Sequence, residues 1–328
     1  GVTRSQYLYF MSQYLMLAEE LDETELEMLD WVTKRVIETW LETPAFHWDK
    51  KLNLIGVKGR LEWNLSEPDT DFSFYRAVID EDWFTLASLN DLAVVYKKNS
   101  ISLPLDNESV KELSKSVLNR FGSFEGELWY FQKGTWFDHR DYAYAGQVEI
   151  TPHMERAYIK SIGIDSSHMH RLPLWLDSFM RNNEFEVMFF EKIKHGFRRA
   201  YEEHVLVYSG EQKFLLLQNN YTTGENGVFR YNYETQGLGR GYEAFELSGT
   251  LFIGYYVFMN SSLYEQGMEL MKTEYPLSNQ ALSYYVGPNS TRLRHPLFKW
   301  PDYCENGFAE IFTRVVACYN TTVESCDS

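Results

Sequence analysis

Apolar residues at Leu8, Met11, Leu15 and Ala18 recur at three- and four-residue intervals, which predicts one face of a helix over 5–21. Asp22 stands three positions before Glu25, a capping pattern, and Leu26, Leu29, Val32, Val36 and Trp40 continue the helical period. A second helix therefore follows after a very short turn, and Pro44 ends it. Residues 44–71 read as a long polar connection in which Gly56, Gly59 and Pro68 interrupt any period. Helical spacing returns from Phe74 to Tyr96 with a break near Asp80, placing Trp83, Leu86, Ala87 and Val94 in the core. Asp106 or Asn107 caps the next helix, where Val110, Leu113, Val117 and Phe121 share a face and Gly122 offers a left-handed stop.

Farther along, helical patterns are expected at 148–162, 172–182 and 184–205, the last carried by Phe185, Met188, Phe189, Ile193, Phe197, Ala200 and Tyr201. Val205–Tyr208 and Phe214–Leu217 flank Ser209 and Gly210, which predicts a β-hairpin. Residues 219–243, with five glycines among tyrosines and arginines, read as loop; helices resume at 244–260, 262–274 and 306–319. A polar connection spans 284–305, and 321–328 is expected to fray as a tail. Helices joined alternately by short turns and long loops bury their apolar faces against neighbouring hairpins. The expected fold is all-α: one domain over 1–320, an (α/α) toroid of helical hairpins with a minor β-hairpin, its long loops gathered at one end.

Composition narrows the function. Aromatic residues make up 16% of the 328, and Tyr and Trp suit surfaces that are apolar yet donate hydrogen bonds, as sugar-stacking clefts do. A formal net charge of −16 repels phosphates, so neither nucleic acid nor an anionic membrane surface is an expected partner. The longest apolar run, Leu251 to Met259, falls short of the roughly 20 residues a bilayer-spanning helix needs. Cys304, Cys318 and Cys326 make neither a disulfide framework nor a zinc spacing. No leader segment is recognisable from Gly1 onward, and a secreted or periplasmic location is expected for a glycan-active chain.

Four predicted connections concentrate the chemistry. GTWFDHRDYAYAG, 134–146, holds Trp136, Asp138, His139, Asp141, Tyr142 and Tyr144 between two glycines. DSSHMHR, 165–171, holds Asp165, His168, His170 and Arg171; Asp165 or Ser167 suits a helix cap there. Asp165, His168 and His170 are also a partial metal set, but spacing supplies no further ligand, and neither metal nor cofactor is expected. The stretch 225–243 contributes Arg230, Tyr231, Tyr233, Arg240, Tyr242 and Glu243, and 292–305 contributes Arg292, Arg294, His295, Lys299, Trp300, Asp302 and Glu305. GLGRG lacks the preceding strand and following lysine of a phosphate loop, and neither a GxSxG elbow nor an HExxH helix occurs.

The first of these segments resembles the stretch GSFxxHxxxxYxGxYG of the hyaluronate and chondroitin AC polysaccharide lyases, with Gly134, His139, Tyr144 and Gly146 at the matching spacings. GENGVFRY, 224–231, is fainter and similar to a later part of that domain. The resemblance covers thirteen residues, 134–146, and implies an (α/α)-toroid catalytic domain in which His139 carries over by motif. Val148 stands where that family has its catalytic tyrosine and Glu149 where it has glycine, so no tyrosine carries over.

β-Elimination at a uronate requires a neutralised carboxylate, removal of the adjacent proton and protonation of the leaving oxygen. In that scheme His139 is the base or carboxylate partner, Tyr144 or Tyr142 the acid, and Arg171 or Arg240 the clamp, with His168, Asp138 and Asp141 as further catalytic candidates. Trp136, His170, Arg230, Tyr231, Arg240, Tyr242, Glu243 and Trp300 are candidates for holding an oligo- or polysaccharide. The leading expectation is thus a polysaccharide lyase. A glycoside hydrolase is the alternative, drawing two carboxylates about 5–10 Å apart from Asp138, Asp141, Asp165, Glu225, Glu243, Asp302 and Glu305; a non-catalytic glycan-binding protein is the third.

Overall fold

The computed structural model describes residues 1–18, 20–209, 215–254, 256, 259, 278–287, 306, 307 and 311. These are mostly helical, with two small antiparallel sheets, and fall into two compact units. The first comprises Gly1–Ser123 with Leu174–Ile193; the second comprises the described residues of 124–173 and 194–328.

In the first unit, α1 (Val2–Leu17), α2 (Glu23–Ile37), α3 (Gly56–Leu65), α4 (Asp80–Lys98) and α5 (Asn107–Phe121) follow in order. Asp22 and Glu25 form the reciprocal capping box that opens α2, and the Asp106 carboxylate accepts from the first backbone N–H groups of α5. α4 is the central element: Trp83, Phe84, Leu86, Ala87, Leu89, Leu92 and Val95 are buried all round it, as expected of a helix with neighbours on every side. α1 lies along it, and α2 and α5 also pack against it. Its buried polar groups are satisfied. Arg181 Nη2 donates to Asp91 Oδ1 at 2.8 Å, and the Asn90 amide donates to the Ser114 hydroxyl at 3.0 Å. Arg181 belongs to α7 (Leu172–Asn182), whose Trp175 stacks on Trp83 at 5.6 Å.

Helix α3 corrects the expectation of a structureless connection over 44–71. Gly56 does not interrupt it; with φ of +71° it opens the helix, its Cα so close to the Trp40 carbonyl that no Cβ fits. The buried face of α3 carries Arg60 and Asn64 beside Val57 and Leu61, so an apolar period was absent although the helix is well seated. Gly122 also departs from expectation: its φ is −99°, and it begins strand β1 (Gly122–Glu125), which forms a two-stranded sheet with β2 (Leu128–Phe131).

The second unit is rich in loops. Its regular elements are the short α6 (Ser166–Met169), the later part of α8 (Val187–Ala200), β3 (Leu206–Ser209) paired with β4 (Leu215–Gln218), α9 (Thr250–Ile253) and α10 (Asn279–Val286). The expected hairpin is thus present one residue later than the pattern placed it. No helix forms over 148–162, because the backbone there is recruited by other loops. Ile150 N donates to Glu243, Ala157 N to the Ala143 carbonyl, and the Ile162 carbonyl accepts from Gly134 N. Of the helix expected at 244–260, only α9 appears among the described residues, while α10 overlaps the expected connection 284–305, opened by a Ser278 cap. The helices expected at 262–274 and 306–319, save residues 306, 307 and 311, and the tail lie outside the described residues.

Candidate active site

Backbone hydrogen bonds bring three of the four chemistry-bearing loops together inside the second unit. Gly146 N donates to the Asn226 carbonyl at 2.7 Å, Val228 N to Gln147 O at 2.7 Å and Arg230 N to Asp141 O at 3.1 Å. This pairing needs Gly227: at φ of +120° its missing Cβ would stand 2.5 Å from Gly146 N. Loop 162–170 joins through Ser166 N to the Asn220 carbonyl and Thr222 N to the Ile164 carbonyl. Residues far apart in sequence therefore meet around one carboxylate.

That carboxylate is Asp165, which is buried and caps α6 through the backbone N–H of His168. Its Oδ2 receives the Tyr142 hydroxyl at 2.7 Å and its Oδ1 the Ser167 hydroxyl at 2.5 Å, while His168 Nδ1 lies 2.7 Å from Oδ2 and 2.8 Å from Oδ1. Burial alone would push the Asp165 carboxyl up; the His168 ring, these donors and the Arg230 charge outweigh it and hold the group well below the usual carboxylate range.

On the other side of the imidazole, His168 Nε2 is 3.4 Å from Arg230 Nη2. A guanidinium only donates, so Nε2 is the acceptor and Nδ1 carries the proton toward Asp165. The His168 side chain is 30% exposed. Arg230 lies over the Tyr233 ring at 4.6 Å and the Phe229 ring at 5.1 Å. Its Nε faces Asp141 Oδ2 at 3.4 Å without hydrogen-bond alignment. Burial works against its charge, and Asp165 and Asp141 restore it. Among the described residues the His168 ring is the sole hydrogen-bond partner of this guanidinium, whose side chain is 27% exposed.

The His139 ring lies 6.1 Å from the Tyr142 ring. It is buried, and its Nδ1 accepts the backbone N–H of Asp141 at 3.2 Å, capping the 3-10 turn Arg140–Tyr142. Burial pushes its pKa down, against the pull of Asp141, so the ring is neutral and the 4.0 Å approach to Asp141 Oδ2 is not an ion pair. Tyr142 is buried with its hydroxyl committed to Asp165 and its ring stacked on Trp136 at 5.5 Å. Tyr144 is buried with Ala143 and Val228, in contact with the Tyr231 ring.

The remaining candidates are distributed around this core. Asp138 is half-buried in the first loop, and Arg171 is half-buried just before α7. The His170 ring lies 6.2 Å from the Tyr256 ring. Tyr231 donates to Thr151 O, the Tyr242 hydroxyl accepts from Gln236, Glu243 accepts from Ile150 N, and Arg240 is exposed. Trp300, Asp302 and Glu305 lie outside the described residues. Among the described residues no three His, Cys, Asp or Glu side chains converge as a metal set, and no helix is long and apolar enough to cross a membrane. Phe229 was not singled out by sequence reasoning, and Ser167 only as a helix cap. The alternation of rings about Arg230 in VFRYNY was the available signal for the first.

No protein-family model, curated protein or solved structure matches the chain. The site's chemistry therefore rests on its own geometry.

Nearby, burial pushes the Glu246 carboxyl up to about 7, and the Glu243 carboxylate adds to the rise while the Glu243 N–H opposes it. A carboxyl raised in the folded state holds a proton that the unfolded chain has lost, so its contribution to stability falls as pH climbs from the ordinary value of 4.5 toward about 7. Glu246→Gln is expected to remove that decline. Thermal melts across this range should show the variant gaining on the parent as pH rises; a constant difference would contradict the assignment.

Proposed function

We propose that the protein is a carbohydrate-active enzyme, a polysaccharide lyase that cleaves a uronate-containing glycan by β-elimination. The observation that carries this reading is an imidazole held at Nδ1 by a buried carboxylate, with its Nε2 3.4 Å from a ring-stacked guanidinium that has unfilled donors. Arg230 would bind the uronate carboxylate and withdraw charge from it, acidifying the neighbouring C–H. His168 Nε2 takes that proton, the electron pair becomes the new C=C bond, and the bond to the leaving oxygen breaks. The imidazolium, stabilised by Asp165, then returns a proton to that oxygen. This reading moves the base from His139 to His168 and the clamp from Arg171 or Arg240 to Arg230.

A hydrolase would need one carboxyl kept protonated; Asp165, saturated with donors and held low, is the reverse of that, and Glu246, pushed up to about 7 beside Glu243, is the carboxyl that such a reading would use. Sequential pairing of α1 with α2 and of α4 with α5 supports an (α/α) toroid as the underlying architecture. A secreted or periplasmic setting fits such a substrate.

Incubation with uronate polysaccharides is expected to generate the ultraviolet absorbance of an unsaturated uronate at each new end. New reducing ends without that absorbance would replace elimination by hydrolysis, and no new ends across acidic and neutral glycans would leave a binding protein.

A further inference from the structure

We propose that Tyr142 is a positioning residue, acting through Asp165 on His168, rather than the acid of the reaction. The inference rests on reading His168 as the proton-transfer group. The Tyr142 hydroxyl donates to Asp165 Oδ2 at 2.7 Å and accepts from Asp165 N at 3.3 Å, so both its functions are occupied and its rotor is fixed. The phenol cannot reach a sugar without abandoning this pair.

The surroundings restrain the ring as firmly as the hydroxyl. Trp136 stacks on it at 5.5 Å, Phe229 meets it edge-on at 5.4 Å and Tyr221 lies at 5.5 Å. Its own backbone follows the turn that His139 caps. Burial and the Asp165 charge push the phenol well above its ordinary value, so it remains a donor. One residue earlier, the Asp141 carbonyl holds the backbone of Arg230. The dipeptide Asp141–Tyr142 thus anchors both halves of the site: Asp141 the backbone of Arg230, Tyr142 the carboxylate behind the imidazole. A carboxylate clamped at both oxygens cannot rotate, and the His168 ring that leans on it keeps Nε2 aimed at Arg230.

The test uses Tyr142→Phe, Asp165→Asn and the double variant of the full chain, with thermal melts to show that each is folded. NMR of histidine-labelled protein reads the His168 Nδ1–H, which in the parent is expected to be sharp and slow to exchange with water. In Tyr142→Phe it should broaden and exchange faster. On a uronate glycan that the parent turns over, Tyr142→Phe should lower kcat at least about tenfold with KM within about twofold, and the double variant should be no slower than Asp165→Asn alone. An unaltered Nδ1–H signal, an unchanged kcat, a loss expressed in KM, or additive losses in the double variant would each overturn the proposal. If the parent turns over no glycan, the lyase reading fails by itself, and the Nδ1–H signal still decides whether Tyr142 holds His168 through Asp165.

Discussion

Arg60→Ala is expected to lower the stability of the protein by about 3–5 kcal/mol, the cost of removing one partner from a buried ion pair. Arg60 is 2% exposed, and its Nε donates to Asp82 Oδ1 at 2.7 Å, its Nη2 to the same oxygen at 2.5 Å and its Nη1 to the Phe46 carbonyl at 2.6 Å. Asp82 sits at the first turn of α4 and also accepts from Ile79 N, so the pair joins α3 to the capped start of the central helix. Burial pushes the Asp82 carboxyl up to about 6 even with the guanidinium beside it. Without Arg60 the carboxyl would take up a proton more readily, which limits the loss to the lower part of that range. Arg60→Met with Asp82→Leu is expected to recover part of the stability, since the Asp82 charge goes with its partner while the buried Glu81, 3.3 Å from Arg60 Nη2, loses that contact. Urea unfolding measures both; a single-variant loss below about 1 kcal/mol, the usual size for a surface pair, would show that the pair is not buried in solution.

His168→Ala is expected to reduce kcat by roughly 10²- to 10⁴-fold, the range for removing a general base, while the thermal midpoint changes little. The side chain is partly exposed, and Asp165 retains the Tyr142 and Ser167 donors when the imidazole is gone. Arg230→Lys should act mainly on substrate binding, because an ammonium keeps the charge but loses the planar fork and the stacking on Tyr233 and Phe229. Steady-state kinetics with His139→Ala as the comparison separates the two histidines. If that variant, whose ring caps a turn, lost activity through chemistry while His168→Ala retained it, the assignment of the base would be reversed.

The helices of the first unit were legible because they obey simple local rules. The Asp22–Glu25 box, the Asp106 cap and the apolar spacing along α2 and α5 each state their structure within a few residues. α3 was not legible, since its buried face is half polar and its partners, Asp82 and the Phe46 carbonyl, lie elsewhere in the chain. Residues 148–162 mimic a helical period, yet their backbone is claimed by the Ala143 carbonyl, Glu243 and Gly134, contacts no local pattern encodes. The candidate loops themselves could be named from their density of acids, bases and rings. Their roles could not, because His139 and His168 look alike in sequence. Only the geometry separates a buried ring that accepts a backbone N–H from a partly exposed one backed by a carboxylate.

The most direct measurement is the structure of His168→Ala crystallised with a uronate oligosaccharide. The account predicts the sugar carboxylate on the open N–H edge of Arg230, with the proton-bearing carbon facing the space left by the imidazole. A bound saccharide whose carboxylate sits away from Arg230, or whose scissile bond lies between two carboxyl groups instead, would contradict it.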